Sequence, residues 1–445
     1  MTKAVDSLLK YQWNTVLSVY ISAYVLLLLV VGVINSYLGL VFTEQFSFHV
    51  ADGWCNPVSE GLYGHCFGDF GVKFAESVAD NAYVPESVSP ANPPAVLALF
   101  KGMISAGLTY NQGLILWLGS IVLSALALGL VTARFSRDWQ TRIMLFSVIG
   151  IGNVGVITSL DRGNPIPWIA TGFVAAVVLS QKSKKMEVIS ALLLGLVGLL
   201  KWWSPVLFMF FLIQKKWIAL GVSLSLWVSL QTISLMAATG GVINAVKQHH
   251  AWLTNSDYGI NQLTASHSIY SLAQRLACSV TSEPEVCFET KTNWSIFFGI
   301  SLIAVFSVLA FLWRRNYFLS AVPFALLPII ALPAAMVYNL TLLAAAVSLI
   351  FISSVGRELK SPKKVERSLV WLILSGSLVG MLVVPAKWFG SIASSILVPA
   401  WFSVVTLLAV AVIASAVREF EDGKIFGERV VRLGLRPESN LNHKP

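Results

Sequence analysis

Charge is scarce in this chain: 12% of its 445 residues are Asp, Glu, Lys or Arg, against about 25% in an ordinary soluble domain. Apolar side chains take their place, at 56% of the sequence, so the chain is built for lipid rather than for water. There is no Walker loop, no dinucleotide fingerprint and no Cys/His zinc spacing. Their absence removes ATP hydrolysis and nucleotide-sugar binding by a soluble domain from consideration. Cysteine is rare too. The four present fall as local pairs, Cys55 with Cys66 and Cys278 with Cys287, in two polar loops. This placement fits two short-range disulfides in an oxidising compartment, with four free thiols as the alternative. Neither an internal repeat nor a low-complexity tract is present.

Long apolar runs are what the chain does have. The first, Val16 to Leu40, can cross a hydrocarbon core of about 30 Å at about 1.5 Å per residue. It lacks a small-residue cleavage site, which predicts an uncleaved first helix. The net charge of +9 is not spread like a nucleic-acid footprint. Basic clusters at Arg134/Arg137/Arg142, Lys182/Lys184/Lys185, Lys215/Lys216, Arg314/Arg315, 357–367 and beyond Arg418 mark cytoplasmic segments. The exceptions are Lys73, Lys101, Arg162, Lys201, Lys247, Arg275, Lys291 and Lys387. Both termini are then inside. Spans are predicted over 15–39, 112–133, 143–160, 165–181, 217–238, 293–313, 317–334, 336–354, 368–386 and 395–416. The stretch from Glu187 to Ile213 has basic flanks on both sides and is too short for two crossings. It predicts a broken pair of short helices with Lys201-Trp202-Trp203-Ser204-Pro205 at its tip, about 21 Å into the membrane. Irregular backbone at that depth must be buried in protein or face a wet cavity. The expected fold is an all-α integral membrane bundle of about 10–12 helices. It occupies residues 1–418, with outer loops near 43–95 and 240–292, and is followed by a cytoplasmic tail over 419–445.

Polar side chains stand out against this background. Asp69, in Gly68-Asp69-Phe70 of the first outer loop, lies beside an apolar residue close to the span entrances. Partial desolvation there can raise its proton affinity enough to take a proton from a hydroxyl. The competing reading is a solvated loop carboxylate, of which Glu44, Asp52, Glu60, Glu76, Asp80 and Glu86 offer many. Lys201 is an ammonium inside an apolar stretch. It suits a phosphate or snorkels to an interface. Arg162, in Asp161-Arg162-Gly163-Asn164, either clamps a phosphate or pairs with Asp161. In the second outer loop, the adjacent His249 and His250 point to different helix faces and make a poor metal pair. Asp257, Tyr258, Asn261, Gln262 and His267 are instead side chains suited to sugar hydroxyls. Trp252 and Tyr258 can stack on a sugar face or sit at the membrane interface.

The order of these elements carries more than any one of them. A first span leads to Gly68-Asp69-Phe70 and then to Asn92-Pro93-Pro94 before an apolar run. Asp161-Arg162-Gly163-Asn164-Pro165 opens a span. Ser190 to Leu196 runs on to Lys201-Trp202-Trp203-Ser204-Pro205 and then to Lys215-Lys216-Trp217. Over roughly residues 60–275 this series resembles glycosyltransferase family 87, multi-span GT-C enzymes that use polyprenyl-phosphate sugars on the outer face. Two departures stand out. Asn92 replaces the tyrosine usual before Pro-Pro, and Ala335-Met336-Val337-Tyr338-Asn339 stands where many relatives have Ser-Trp-Asp-His.

The resemblance implies a fold, a reaction and roles. Asp69 matches the loop aspartate, general base for the acceptor hydroxyl. Lys201 matches a lysine near the lipid phosphate, with Arg162 beside it. Asn92, Asn164, Asp257, Tyr258, Asn261, His267, Tyr338 and Asn339 are the expected substrate-binding set. The donor implied is a polyprenyl monophosphate sugar, mannose first and arabinofuranose second, transferred with inversion to a glycan or glycolipid acceptor at the extracytoplasmic face of the plasma membrane. The scheme requires no metal or other cofactor, and nucleic acid is no partner. A lipid-linked sugar flippase also needs a basic residue in mid-membrane, but not a large outer loop carrying a carboxylate.

Overall fold

Every regular element among the described residues is helical, and the helices follow the apolar runs. The computed structural model describes residues 67–78, 92–136, 139–237, 284–331 and 337–355, with single positions at 243, 247 and within 404–411. In chain order these give α1 (Gly68–Val78), α2 (Pro94–Ser105), α3 (Tyr110–Ala133) and α4 (Trp139–Leu145). A π-helical turn, Phe146–Ile151, follows, then α5 (Val154–Arg162), α6 (Ile166–Leu179) and α7 (Lys184–Gly198). Beyond a 3₁₀ turn at Ser204–Phe208 come α8 (Met209–Ile213), α9 (Trp217–Ala237) and α10 (Pro284–Leu312). The last described elements are α11 (Val322–Ile330), a 3₁₀ turn at Val337–Leu340 and α12 (Thr341–Val355).

Local chemistry sets the boundaries. Thr109 and Gln112 open α3 with a reciprocal capping box, the Gln112 side chain accepting from the Thr109 N–H at 3.0 Å. Asn153 opens α5 by accepting from the Val156 N–H at 2.9 Å, and its amide donates to Ile149 O at 3.0 Å. One side chain thereby starts a helix and satisfies a carbonyl of the preceding π turn. Ser183 caps α7 by accepting from the Met186 N–H. The α7 helix stops at Gly198, Lys201 to Trp203 form a turn, and Pro205 takes the first turn of the 3₁₀ segment, where a missing N–H costs nothing. The segment 187–213 is thus interrupted at Lys201, the point the sequence indicates.

The spans differ from the predicted set. Tyr110–Ala133 and Trp217–Met236 are the described helices long and apolar enough to cross a membrane. The predicted span 143–160 is divided by the π turn and by Gly152-Asn153. The span expected over 165–181 is the 14-residue α6, which reaches only about 21 Å. A helix is predicted from 293, but α10 begins at Pro284. The stretch expected as the first outer loop, 43–95, contains α1. The predicted spans 15–39 and 368–386, most of 395–416 and the tail lie outside the described residues. So do Asp257, Tyr258, Asn261 and His267, the cysteines Cys55, Cys66 and Cys278, and the side chains of Cys287 and Tyr338.

The core centres on α6, α11 and α12, whose apolar side chains are almost all buried. Close backbone approaches join the helices: a Cβ on Gly155 of α5 would fall 2.1 Å from the backbone N of Thr341. Thr132 of α3 donates to the Ser348 hydroxyl of α12 at 2.8 Å, a hydrogen bond of the kind that joins helices in lipid. At the end expected to be cytoplasmic, Lys216 pairs with Glu187 and donates to Ser180 O, at 2.9 and 2.7 Å.

Candidate active site

The opposite end of α5 carries the chemistry. The helix ends in a Schellman turn: the Gly163 N–H bonds to Leu160 O at 3.1 Å and the Asn164 N–H to Ser159 O at 2.7 Å. Gly163 is left-handed, φ 65°, and its carbonyl accepts from the Trp117 indole at 2.8 Å. A Cβ there would lie 2.7 Å from the Cβ of Phe70. Glycine is therefore required twice, by the backbone and by the neighbour. The turn presents Arg162 and Asn164 on either side of that contact.

Helix α1 meets this turn with its first residues. Phe67, left-handed at φ 56°, precedes it, and its carbonyl accepts the first helical bond from the Gly71 N–H at 2.8 Å. Phe70 is fully buried, with ring centroids 5.2 Å from Phe100, 5.2 Å from Tyr110 and 6.5 Å from Trp117. Such aromatic pairs contribute about 0.5–1.5 kcal/mol each beyond burial and pack this short helix against α2 and α3. The next residue back, Asp69, is thereby held in the first turn, where a carboxylate suits the helix dipole.

Both Asp69 oxygens are engaged. Arg162 donates through Nη2 to Oδ1 at 2.9 Å, and Asn164 donates its amide to Oδ2. The Lys73 ammonium, buried one turn further along α1, donates to the Asp69 carbonyl at 2.6 Å. Burial of Asp69 favours its neutral acid, but Arg162, then Lys73 and Lys201, and the Asn164 bond outweigh it. They hold the carboxyl well below the usual carboxylate range. Lys201 is thus within electrostatic reach of Asp69 although more than 130 residues of chain separate them.

The predicted site residues separate into groups. Asp69, Arg162 and Asn164 are in direct contact, with Lys201 acting on Asp69 through space. The sequence offered Asp161 or a phosphate as partner for Arg162; the structure adds Asp69, and the Asp161 side chain lies outside the described residues. Asn92 is buried at the entrance to α2. Asn339 is buried in the 3₁₀ turn before α12, with Oδ1 unpaired among the described residues. That turn packs on the start of α5 at Gly155, about 10 Å along the helix from Arg162. Among the described residues no His, Cys, Asp and Glu cluster could hold a metal ion. Lys73 was legible only as a basic residue outside the clusters expected to be cytoplasmic, although its helical spacing from Asp69 was available as a signal.

The family model of glycosyltransferase family 87 matches residues 91–322. No curated protein and no solved structure matches the chain. The match holds Arg162, Asn164 and Lys201, and Asp69 precedes it. It spans more than half of the sequence, and the chain belongs to glycosyltransferase family 87.

Proposed function

We propose that this glycosyltransferase is an integral protein of the plasma membrane, with both termini cytoplasmic and its active site on the extracytoplasmic face. The donor is a polyprenyl monophosphate sugar, with mannose assigned first, and the acceptor is a glycan or glycolipid. The observation that carries the reading is the meeting of one carboxylate, Asp69, with Arg162, Asn164, Lys73 and Lys201. Such a set can handle a proton and a phosphate side by side.

The reaction is a single inverting displacement. The acceptor oxygen attacks the anomeric carbon, its proton passes to Asp69, and the bond from that carbon to the phosphate oxygen breaks. The polyprenyl phosphate leaves with the bonding pair and gains negative charge. Lys201 and Arg162 stabilise that charge more as it grows, and this differential lowers the barrier. In the free protein the cations keep Asp69 ionised, as a base must be. A phosphate that shares Arg162 and Lys201 draws positive charge away from the carboxylate and raises its proton affinity towards a useful value.

The test is incubation of purified protein with polyprenyl monophosphates of mannose, glucose and arabinofuranose and a range of glycan acceptors. Transfer from the mannosyl donor, with release of polyprenyl phosphate, is expected. Transfer only from arabinofuranosyl donor reassigns the sugar. Transfer from diphosphate lipids or nucleotide sugars alone overturns the donor class.

A further inference from the structure

Helix α9 carries three polar side chains at one-turn spacing, Ser223, Trp227 and Gln231, and all three face α7. The Ser223 hydroxyl donates to Ala191 O at 2.9 Å, the Trp227 indole to Gly198 O at 3.0 Å and the Gln231 amide to Leu199 O at 3.3 Å. The last two acceptors are carbonyls at the broken end of α7, which a helix terminus leaves without intrahelical partners. Gln231 also faces a second element. Its Oε1 accepts from the N–H of Ala95 at 3.1 Å, in the first turn of α2 just after Asn92-Pro93-Pro94. The side chain is buried, 4% exposed.

One carboxamide therefore closes the C-terminal end of α7 and the N-terminal end of α2 together. Its orientation is set by its partners: reversal would face N–H with N–H and carbonyl with carbonyl. A glutamate could serve only Ala95, and an apolar residue could serve neither. The two segments joined are the end of the first outer loop and the backbone two residues before Lys201.

We propose that Gln231 is a positioning residue for the donor site, holding the Lys201 turn in register with the Asn92–Pro94 segment. The inference rests on the assignment of Lys201 to the donor phosphate. Misplacing that turn moves the Lys201 ammonium away from the phosphate it would hold, while the direct Arg162 and Asn164 bonds to Asp69 stay in place.

The test uses the full-length protein with polyprenyl-phosphate mannose as donor, and compares Gln231→Met, Gln231→Glu, Lys201→Met and the Gln231→Met/Lys201→Met double variant. Each Gln231 variant is expected to lose about tenfold in donor kcat/KM, with kcat falling because Lys201 stabilises the charge that develops on the phosphate. The double variant is expected to be no worse than Lys201→Met alone, because the group that Gln231 positions is gone. Ser223→Ala removes a hydrogen bond between the same two helices and is expected to lower Tm while leaving donor kcat/KM unchanged. If Gln231→Met does not fold, Gln231→Glu, which keeps the Ala95 bond, takes its place in the cycle. Losses that multiply in the double variant, or Gln231 variants with normal kcat/KM, overturn the proposal. Normal turnover in Lys201→Met is a separate outcome and counts against the donor-phosphate assignment itself.

Discussion

Arg162 donates to the Asp69 carboxylate at 2.9 Å across 93 positions of chain. The pair ties α1 to the glycine turn that ends α5. It leaves the Asp69 side chain 17% exposed, so the group is shielded yet still within reach of solvent.

Asp69→Asn keeps the size of the side chain and cannot accept a proton. Turnover is expected to fall about 10²–10⁴-fold, the usual contribution of a general base, with donor binding retained. Asp69→Glu is also expected to be poor, since one methylene moves the oxygen off its line of attack. Glu60→Gln and Glu76→Gln are the comparison in the same turnover assay. Retained activity in Asp69→Asn with either comparison variant dead would assign the base to another carboxylate.

The charges around Asp69 give a pH prediction with a definite sign. Its carboxyl is held below the ordinary range, so its stabilising contribution is complete above about pH 4 and is lost as pH falls towards its own lower value. Arg162→Gln removes the strongest lowering influence. The acid limb of kcat/KM is expected to move to higher pH, and the acid loss of thermal stability to become smaller, because the folded and unfolded values draw together. Superimposable pH profiles for the two proteins would exclude this coupling.

Lys201→Met keeps much of the stem and deletes the charge. Donor turnover is expected to fall about 10²-fold, as when one group that stabilises a developing negative charge is removed, with the fold intact by circular dichroism. Lys201→Arg is expected to retain part of the activity. A Met variant that works normally makes Lys201 an interfacial snorkeller.

Gly163→Ala forces a Cβ into left-handed backbone and against Phe70. The backbone alone costs about 1–2 kcal/mol, and the contact adds to it. A lower Tm and a loss of activity are expected together, because Arg162 and Asn164 flank the turn. Gly119→Ala, where an added Cβ meets nothing within 4 Å, is the neutral comparison. Equal Tm values for the two variants would refute the argument.

Single introduced cysteines in 43–95 and 240–292 are expected to react with an impermeant thiol reagent from outside, and those in 182–185 are not. Labelling of 182–185 from outside would reverse the orientation. In the native chain, non-reduced peptide mapping is expected to find Cys55 bonded to Cys66 and Cys278 to Cys287. Each would close a loop of about ten residues and contribute roughly 2–3 kcal/mol in the chain-entropy model. Free thiols at all four positions would refute it.

The sequence alone determined what depends on neighbours in the chain. Apolar runs made the elements helical, because backbone groups without water must bond within their own segment. Pro205 and the polar Lys201 turn marked where a helix must break. The Asp161-Arg162-Gly163-Asn164-Pro165 segment was legible as a turn that opens a span, because glycine and proline interrupt an apolar run. Tertiary structure decided what depends on distance. No spacing rule joins Asp69 to Arg162 and Asn164, and nothing near Gln231 announces that its amide serves two helix ends far away in the chain. Span lengths were also decided by packing: the π turn, Asn153 and the Gly155 approach divide an apolar run that composition alone reads as one helix. Hydrophobicity is summed along the chain, whereas hydrogen bonds and charges act across space. The helices were therefore legible in the sequence, and the partners of Asp69 were not.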